Sequence, residues 1–362
     1  MHYLIHNFDS ANLDLIKLIL EKNNLRINEK NKNNQCPVHL TANSEAIKLL
    51  SEHKANLNIR DHSGRTPLHY ACSKNDADLV LFLIRKGAKI NFKDNFGNTV
   101  LLNSFSDSLQ PSLLPKIHTC GSVNYLLRKR ITSHKLVESL LLAGANVNER
   151  NINGETALSL ALSEGNEEAV KLLMEHGADL SIAASNIDLI KAAIRGNSIN
   201  LVKWLLEKDL SLIEDSDEYT ALHLAALTGN SEIIRLLIDK GADPNISSYK
   251  EYPVHIAASQ GNSKALKELI VAGADIKKVD SLGRNALHLA TRKLGEINSF
   301  LNGESNYTKC IELLLNAGIN PNLKDSYGFT PLMYLERRKN ELILDKDEYE
   351  YLYSLLLKNS NL

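Results

Sequence analysis

Apolar positions run along the chain in short paired clusters, not in one long span. The stretch 220–241 shows the pattern clearly. Leu222, Ala225 and Ala226 form one cluster, and Ile233, Ile234, Leu236, Leu237 and Ile238 form a second. The first spacing predicts a short helix with small residues where neighbours press close, and the second predicts a helix with a broad apolar face. Thr220 stands where an N-cap is needed, Gly229-Asn230 breaks the first helix, Ser231 opens the next, and Gly241 ends it in the left-handed conformation. The polar stretch that follows predicts a protruding β-turn finger. A helix pair of this size cannot bury its apolar face alone, so it requires similar units on either side.

The chain supplies those units. Thr66-Pro67-Leu68-His69 recurs as Thr220-Ala221-Leu222-His223 and Asn285-Ala286-Leu287-His288, with weaker copies beginning at Cys36, Thr156, Tyr252 and Thr330. A second signature, an apolar run and then Gly-Ala, follows at Gly87-Ala88, Gly144-Ala145, Gly177-Ala178, Gly241-Ala242 and Gly273-Ala274, with Gly318-Ile319 as a variant. Thr66 to Thr99, Ile187 to Thr220 and Tyr252 to Asn285 are each 33 residues, and Thr220 to Tyr252 is 32. A period of this length with a T-P-L-H-x-A signature resembles the ankyrin-repeat family over almost the whole chain. The resemblance implies an all-α fold: an ankyrin-repeat solenoid of helix-turn-helix units with β-turn fingers, about nine to ten repeats including caps.

Departures from the period set the expected organisation. Residues 1–35 read as an N-terminal capping repeat built on Leu13 to Leu20, residues 36–329 as the array, and residues 330–362 as a C-terminal cap closed by Tyr349 to Leu357. Insertions fall near 105–133 and near 295–306, each between a first and a second helix. Residues 186–219 lack the signature but keep Ala192-Ala193, Gly196-Asn197 and Trp204-Leu205-Leu206, so they count as a degenerate repeat.

Charge narrows the partners. The net charge of −1 hides a basic front, with 20 Lys and Arg against 13 Asp and Glu in residues 1–150, and an acidic rear, with 22 against 30 in residues 151–362. Such asymmetry can orient a protein partner, but it lacks the concentrated basic face of a nucleic-acid binder. Asp9 and Asp14 interrupt the first apolar run and no basic region precedes it, so no secretory leader is expected. No stretch reaches the ~18 apolar residues of a membrane span. Cys36, Cys72, Cys120 and Cys310 are far apart and form no zinc-site spacing. These readings lead to expectations of a cytoplasmic monomer with no cofactor, no metal, no nucleic acid and no membrane as partner.

No catalytic residues are expected either, because the sequence contains no H-E-x-x-H, G-x-S-x-G, Walker or kinase motif. His118 and Cys120 are the nearest approach to a nucleophile–base pair, and they lack an orienting third group. His39, His69, His223, His255 and His288 share one slot of the signature, and the resemblance gives them a structural role, tying neighbouring fingers. The resemblance also places partners on the concave finger and first-helix surface. There the expected partner-binding residues are Arg60, Arg65, Phe96, Tyr219, Tyr249, Arg284, Tyr327 and Phe329. Exposed Tyr and Arg are favoured interface anchors, and an acidic tip at Glu214–Glu218 follows basic ones at Arg60 and Lys93. The expected function is therefore a protein–protein interaction scaffold. The Asn-, Lys- and Ile-rich composition resembles ankyrin proteins of intracellular bacteria, which implies an effector translocated into a host cell and binding host proteins. The alternatives are an enzyme or regulatory site in the insertion 105–133, or a targeting module of a larger effector.

Overall fold

The computed structural model describes residues 27–40, 44–105, 132–182, 186–208, 219–294, 306–340 and 346–360. The expected helix at Leu13 to Leu20, residues 106–131 and 295–305 of the two insertions, and the acidic tip at Glu214–Glu218 lie outside the described residues. Among the described residues there are 18 α-helices and one short 3-10 turn. The chain divides into two compact units, residues 1–114 with 130–185, and residues 115–129 with 186–362.

The first unit contains α1 (Pro37–Leu40), α2 (Ser44–Glu52), α3 (Pro67–Ser73), α4 (Ala77–Arg85), α5 (Val100–Phe105), α6 (His134–Leu142), α7 (Ala157–Glu164) and α8 (Glu167–Glu175). The second contains α9 (Asn186–Arg195), α10 (Ile199–Glu207), α11 (Ala221–Thr228), α12 (Ser231–Asp239), α13 (Pro253–Ser259), α14 (Ser263–Val271), α15 (Ala286–Lys293), α16 (Tyr307–Asn316), α17 (Pro331–Asn340) and α18 (Lys346–Ser360). Within each unit, first helices stack on first helices (α3 on α5 on α7; α9 on α11 on α13 on α15 on α17). Second helices stack on second helices (α4 on α6 on α8; α10 through α12, α14 and α16 to α18).

The burial pattern explains this layering. First helices are enclosed on nearly every side, so they are apolar all round: Ala221 through Ala226 of α11 are all buried. Second helices keep one wet face, and bury Leu79, Val80 and Leu83 in α4, Leu201, Val202, Leu205 and Leu206 in α10, and Ile233, Ile234 and Leu237 in α12. The degenerate repeat folds like the others. Without a capping signature, α9 is held by Leu189, Ile190, Ala192, Ala193 and Ile194, all buried.

Two polar ladders tie the repeats together. In the first, four of the five signature histidines accept a hydrogen bond at Nδ1 from the backbone N–H three residues earlier, His255 being the exception. The donors are Cys36 to His39 at 3.0 Å, Thr66 to His69 at 3.2 Å, Thr220 to His223 at 3.3 Å and Asn285 to His288 at 3.2 Å. An accepting Nδ1 places the proton on Nε2, which donates across to the next finger: to Asn98 O from His69, Glu251 O from His223, Lys278 O from His255 and Phe329 O from His288. At Thr156 a serine takes over the first half of this role, with Thr156 N–H donating to Ser159 Oγ. Burial lowers the pKa of all five rings, that of His223 to about 4, so they are neutral structural links.

The second ladder is made by asparagines beyond the second helices. Asn58, Asn91, Asn148 and Asn245 each donate from Nδ2 to the carbonyl of the following unit's glycine, Gly87, Gly144, Gly177 and Gly273. Each also accepts at Oδ1 from a backbone N–H of the same turn, Lys89, Asn146, Asp179 and Asp275. Each of these carbonyls belongs to the residue just past a helix C-cap, outside the helix's own hydrogen bonds.

The fingers are tight turns closed by an Asp or Asn. Asp61, Asp94, Asn151, Asp280 and Asp325 each accept at Oδ1 from the N–H four residues on. Gly64 holds a φ of 76°, and a Cβ there would lie 2.4 Å from Asn95 Oδ1 and 2.9 Å from the Asn95 backbone nitrogen, so one finger packs directly on the next. The finger at 248–251 is built differently. Ser248 and Glu251 exchange both backbone hydrogen bonds, and the intervening Tyr249 and Lys250 have φ values of 49° and 62°. This two-residue hairpin needs positive φ at both positions, where Asn-Gly is favoured, and here two bulky side chains occupy them. Lys250→Gly is expected to stabilise the chain by about 1 kcal/mol, because the strain it relieves exceeds the added chain entropy. A thermal melt checks this, and a lower Tm would show that the turn is not strained.

Candidate protein-binding surface

The fingers place the eight expected contact residues, three in the first unit and five in the second. In the first unit, Arg60 is exposed but engaged: its Nε donates to Gly64 O at 3.0 Å and its Nη2 to Lys93 O on the next finger at 2.9 Å. Arg65 is mostly covered, with Nε 3.7 Å from Asp94 Oδ2. Phe96 is half-buried, and its carbonyl accepts from Ile152 N–H at 3.0 Å, linking consecutive fingers.

In the second unit, the Tyr219 hydroxyl donates to the Glu251 carboxylate, and its ring meets His223 edge-on at 5.4 Å. Arg284 is held by Asp280, with Nη2 at 2.6 Å and Nε at 2.7 Å from Oδ2, in a nearly closed pair. Phe329 rests against Tyr334 at 5.4 Å. Tyr249 and Tyr327 project outward, 65% and 67% exposed. The structure thus separates residues that hold the fingers together from residues that present apolar area. Ile152, named in the sequence only as a finger position, is 68% exposed and belongs with the presenting group.

Two long polar side chains are committed by hydroxyls of the first helices. Tyr70 donates to Asp61 Oδ2 at 2.6 Å and Tyr334 to Asp325 Oδ2 at 2.7 Å, the same link nine residues apart in each case. Burial and the Asp61 hydrogen bond push the Tyr70 phenol up to about 12. Cys36, Cys72 and Cys310 are buried free thiols whose pKa values burial raises. Thiolate character is what makes cysteine reactive, so these side chains serve as small apolar core residues. His118 and Cys120 lie outside the described residues. Among the described residues, no helix is long and apolar enough to cross a membrane.

A family model described as ankyrin repeats (3 copies) matches residues 1–94, 129–188, 185–248 and 254–345, and one described as ankyrin repeats (many copies) matches 232–270. The matches take in most of the chain, which therefore belongs to the ankyrin-repeat family. An ankyrin repeat protein of fowlpox virus, FPV031, is 33% identical over 176 residues, covering 46% of this chain and 45% of that protein. Another from the same virus, FPV115, is 28% identical over 348 residues, covering 95% of this chain and 57% of that one. The chain thus spans about half the length of these relatives. Among solved structures, the human ASB11 ankyrin repeat domain aligns with a TM-score of 0.46 at 21% identity, covering 69% of this chain and 98% of that one. Ankyrin repeats imply a protein–protein interaction module.

Proposed function

We propose that the chain binds a partner protein through the finger and first-helix surface of residues 219–329, and that it catalyses no reaction. The observation that carries this reading is the outward projection of Tyr249 and Tyr327 from fingers fixed by hydrogen bonds, one of them on strained backbone. Rigid, exposed tyrosines lose little entropy on binding and make favoured anchors. Strained backbone held in place by its surroundings tends to mark functional positions. In this reading the protein is a monomeric adaptor. The composition that resembles ankyrin proteins of intracellular bacteria supports an effector role and a partner from a eukaryotic host.

Affinity capture from a eukaryotic lysate tests this, comparing wild type with Tyr249→Ala and Tyr327→Ala, singly and together. Tyr219 is best left unchanged, because its hydroxyl and ring support Glu251 and His223. The double variant should weaken partner binding by more than ~2 kcal/mol with helicity intact. A partner retained by that variant but lost on deleting residues 105–133 would move the function to the insertion, the site of the alternative enzymatic or regulatory reading.

A further inference from the structure

Three consecutive fingers of the first unit begin with a cation: Arg60, Lys93 and Arg150, each just before the residue that closes the turn. The first two reach along the stack. Arg60 Nη2 donates to Lys93 O at 2.9 Å, and Lys93 Nζ to Arg150 O at 3.4 Å. Both arginines also fold back over their own fingertips. Arg60 Nε donates to Gly64 O at 3.0 Å and Arg150 Nε to Gly154 O at 3.2 Å. A Cβ on Gly64 would lie 2.6 Å from Arg60 Nη2, and one on Gly154 would lie 3.1 Å from Arg150 Nη2. Backbone carbonyls thus fix each guanidinium at a tip, and both side chains stay exposed.

The carboxylates of these fingers are committed elsewhere. Asp61 accepts from Arg65 N–H and the Tyr70 hydroxyl, and Asp94 from the N–H groups of Phe96 and Asn98, and both are buried. Glu155 accepts from Asn151 Nδ2 at 2.7 Å. Glu149 pairs with Lys93 at 2.6 Å and accepts from Asn146 Nδ2. Lys93 is therefore partly neutralised, and Arg60 and Arg150 keep their charge for whatever meets the tips. Ile152, 68% exposed, adds an apolar step beside them, and its N–H donates to Phe96 O on the neighbouring finger.

We propose that these fingertips bind an extended acidic segment of a protein, with carboxylates at every third residue meeting Arg60 and Arg150 and an apolar residue between them lying on Ile152. The spacing selects the occupant's conformation. First helices α3, α5 and α7 stack one per repeat, and packed helices lie about 8–10 Å apart, which sets the step between fingers. A polyproline II segment has three residues per turn and rises about 3.1 Å per residue, so its side chains at i, i+3 and i+6 share one side at steps of about 9 Å. A β-strand points i and i+3 to opposite faces, and an α-helix compresses the same step to about 4.5 Å. Guanidinium forks match carboxylates in planar, two-point geometry, and side chains already held in place lose little freedom on binding. This surface belongs to the first unit. It goes beyond the tyrosine surface of the second and does not depend on it.

The test is fluorescence anisotropy of a labelled peptide, Gly-Ser-Glu-Pro-Pro-Glu-Pro-Pro-Glu-Gly-Ser, titrated with the full chain at low ionic strength. Beside it run the isomer Gly-Ser-Pro-Pro-Glu-Glu-Glu-Pro-Pro-Gly-Ser and the spaced peptide with Gln for each Glu. The spaced acidic peptide should bind, its clustered isomer about fivefold more weakly and the Gln peptide at least about tenfold more weakly. Arg60→Gln and Arg150→Gln should each weaken the spaced peptide by about fivefold, and Ile152→Ala by about threefold. Lys171→Gln, an exposed position of the same unit, should leave it unchanged. Ile152 decides the matter if an arginine variant loses helicity. Equal binding of the spaced and clustered peptides would show charge attraction without register and overturn the proposal. So would no binding of the spaced peptide, unchanged affinity in Arg150→Gln or Ile152→Ala, or preferential displacement by a single-stranded oligonucleotide.

Discussion

Replacing His223 by alanine should destabilise the second unit by about 3–4 kcal/mol, whereas the same change at His255 should cost about half as much. His223 Nδ1 accepts from Thr220 N–H and its Nε2 donates to Glu251 O, and both His223 and Thr220 are fully buried. The substitution would leave both backbone groups without partners, at about 1–3 kcal/mol each, and open a void as well. His255 makes only the link to Lys278 O, because its Nδ1 already lacks a partner, so one group and not two is orphaned. Thermal and urea unfolding of the two variants beside wild type measure the difference. Equal losses would mean that packing volume, not the two-sided link, is what the histidine contributes.

The same residues predict a loss of stability in mild acid. An ordinary histidine titrates near 6.5, and burial brings His223 down to about 4, with Lys191 and His255 adding to the shift and the Glu251 hydrogen bond opposing it. Between these two values the unfolded chain binds more protons than the folded one, so stability rises with pH across that interval. The contribution is complete above pH ~6.5, declines as pH falls, and levels off for His223 below pH ~4. Full protonation of that one ring costs roughly 3 kcal/mol, and the rings of His39, His69, His255 and His288 shift the same way for the same first cause. Melting temperatures at pH 7.5, 5.5 and 4.5 should fall steadily, and His223→Ala should flatten the slope. A flat profile across this range would show that the rings protonate without breaking their links.

Much of this architecture is legible in the residues. The cap, the histidine and the Gly-Ala pair recur at fixed spacing because each solves a local backbone problem, and a local problem repeats wherever the unit repeats. The degenerate repeat could be placed for the same reason, since α9 and α10 keep their small and apolar positions without the signature. The asparagine ladder has its own fixed spacing. Asn91, Asn148, Asn245 and Asn322 each stand three residues beyond the alanine, or the Ile319, of the Gly-Ala pair. A polar residue in a turn adds nothing to the hydrophobic period, so that period alone does not reveal it.

The candidate contact surface was only half legible. Finger positions follow from the register, but whether a finger side chain packs or projects depends on the side chain it meets, in its own finger or in the next repeat. Tyr219 is held because Glu251 lies opposite it, and Arg284 because Asp280 turns back on it, while nothing in the sequence sets Tyr249 and Tyr327 apart. The cation row of the first unit is further from view. Arg60 and Lys93 are 33 residues apart, but Arg150 comes 57 residues later, and only the stacking of α3, α5 and α7 puts the three in line.

The measurement that bears most directly on a protein-binding finger surface is amide hydrogen exchange of the full chain with and without its captured partner. Binding there should slow exchange in the fingers at 248–251 and 325–329 and in the first turns of α13 and α17, and leave the outer faces of α12 and α14 unchanged. Protection confined to those second helices, or no protection in either finger while the partner stays bound, would contradict the account.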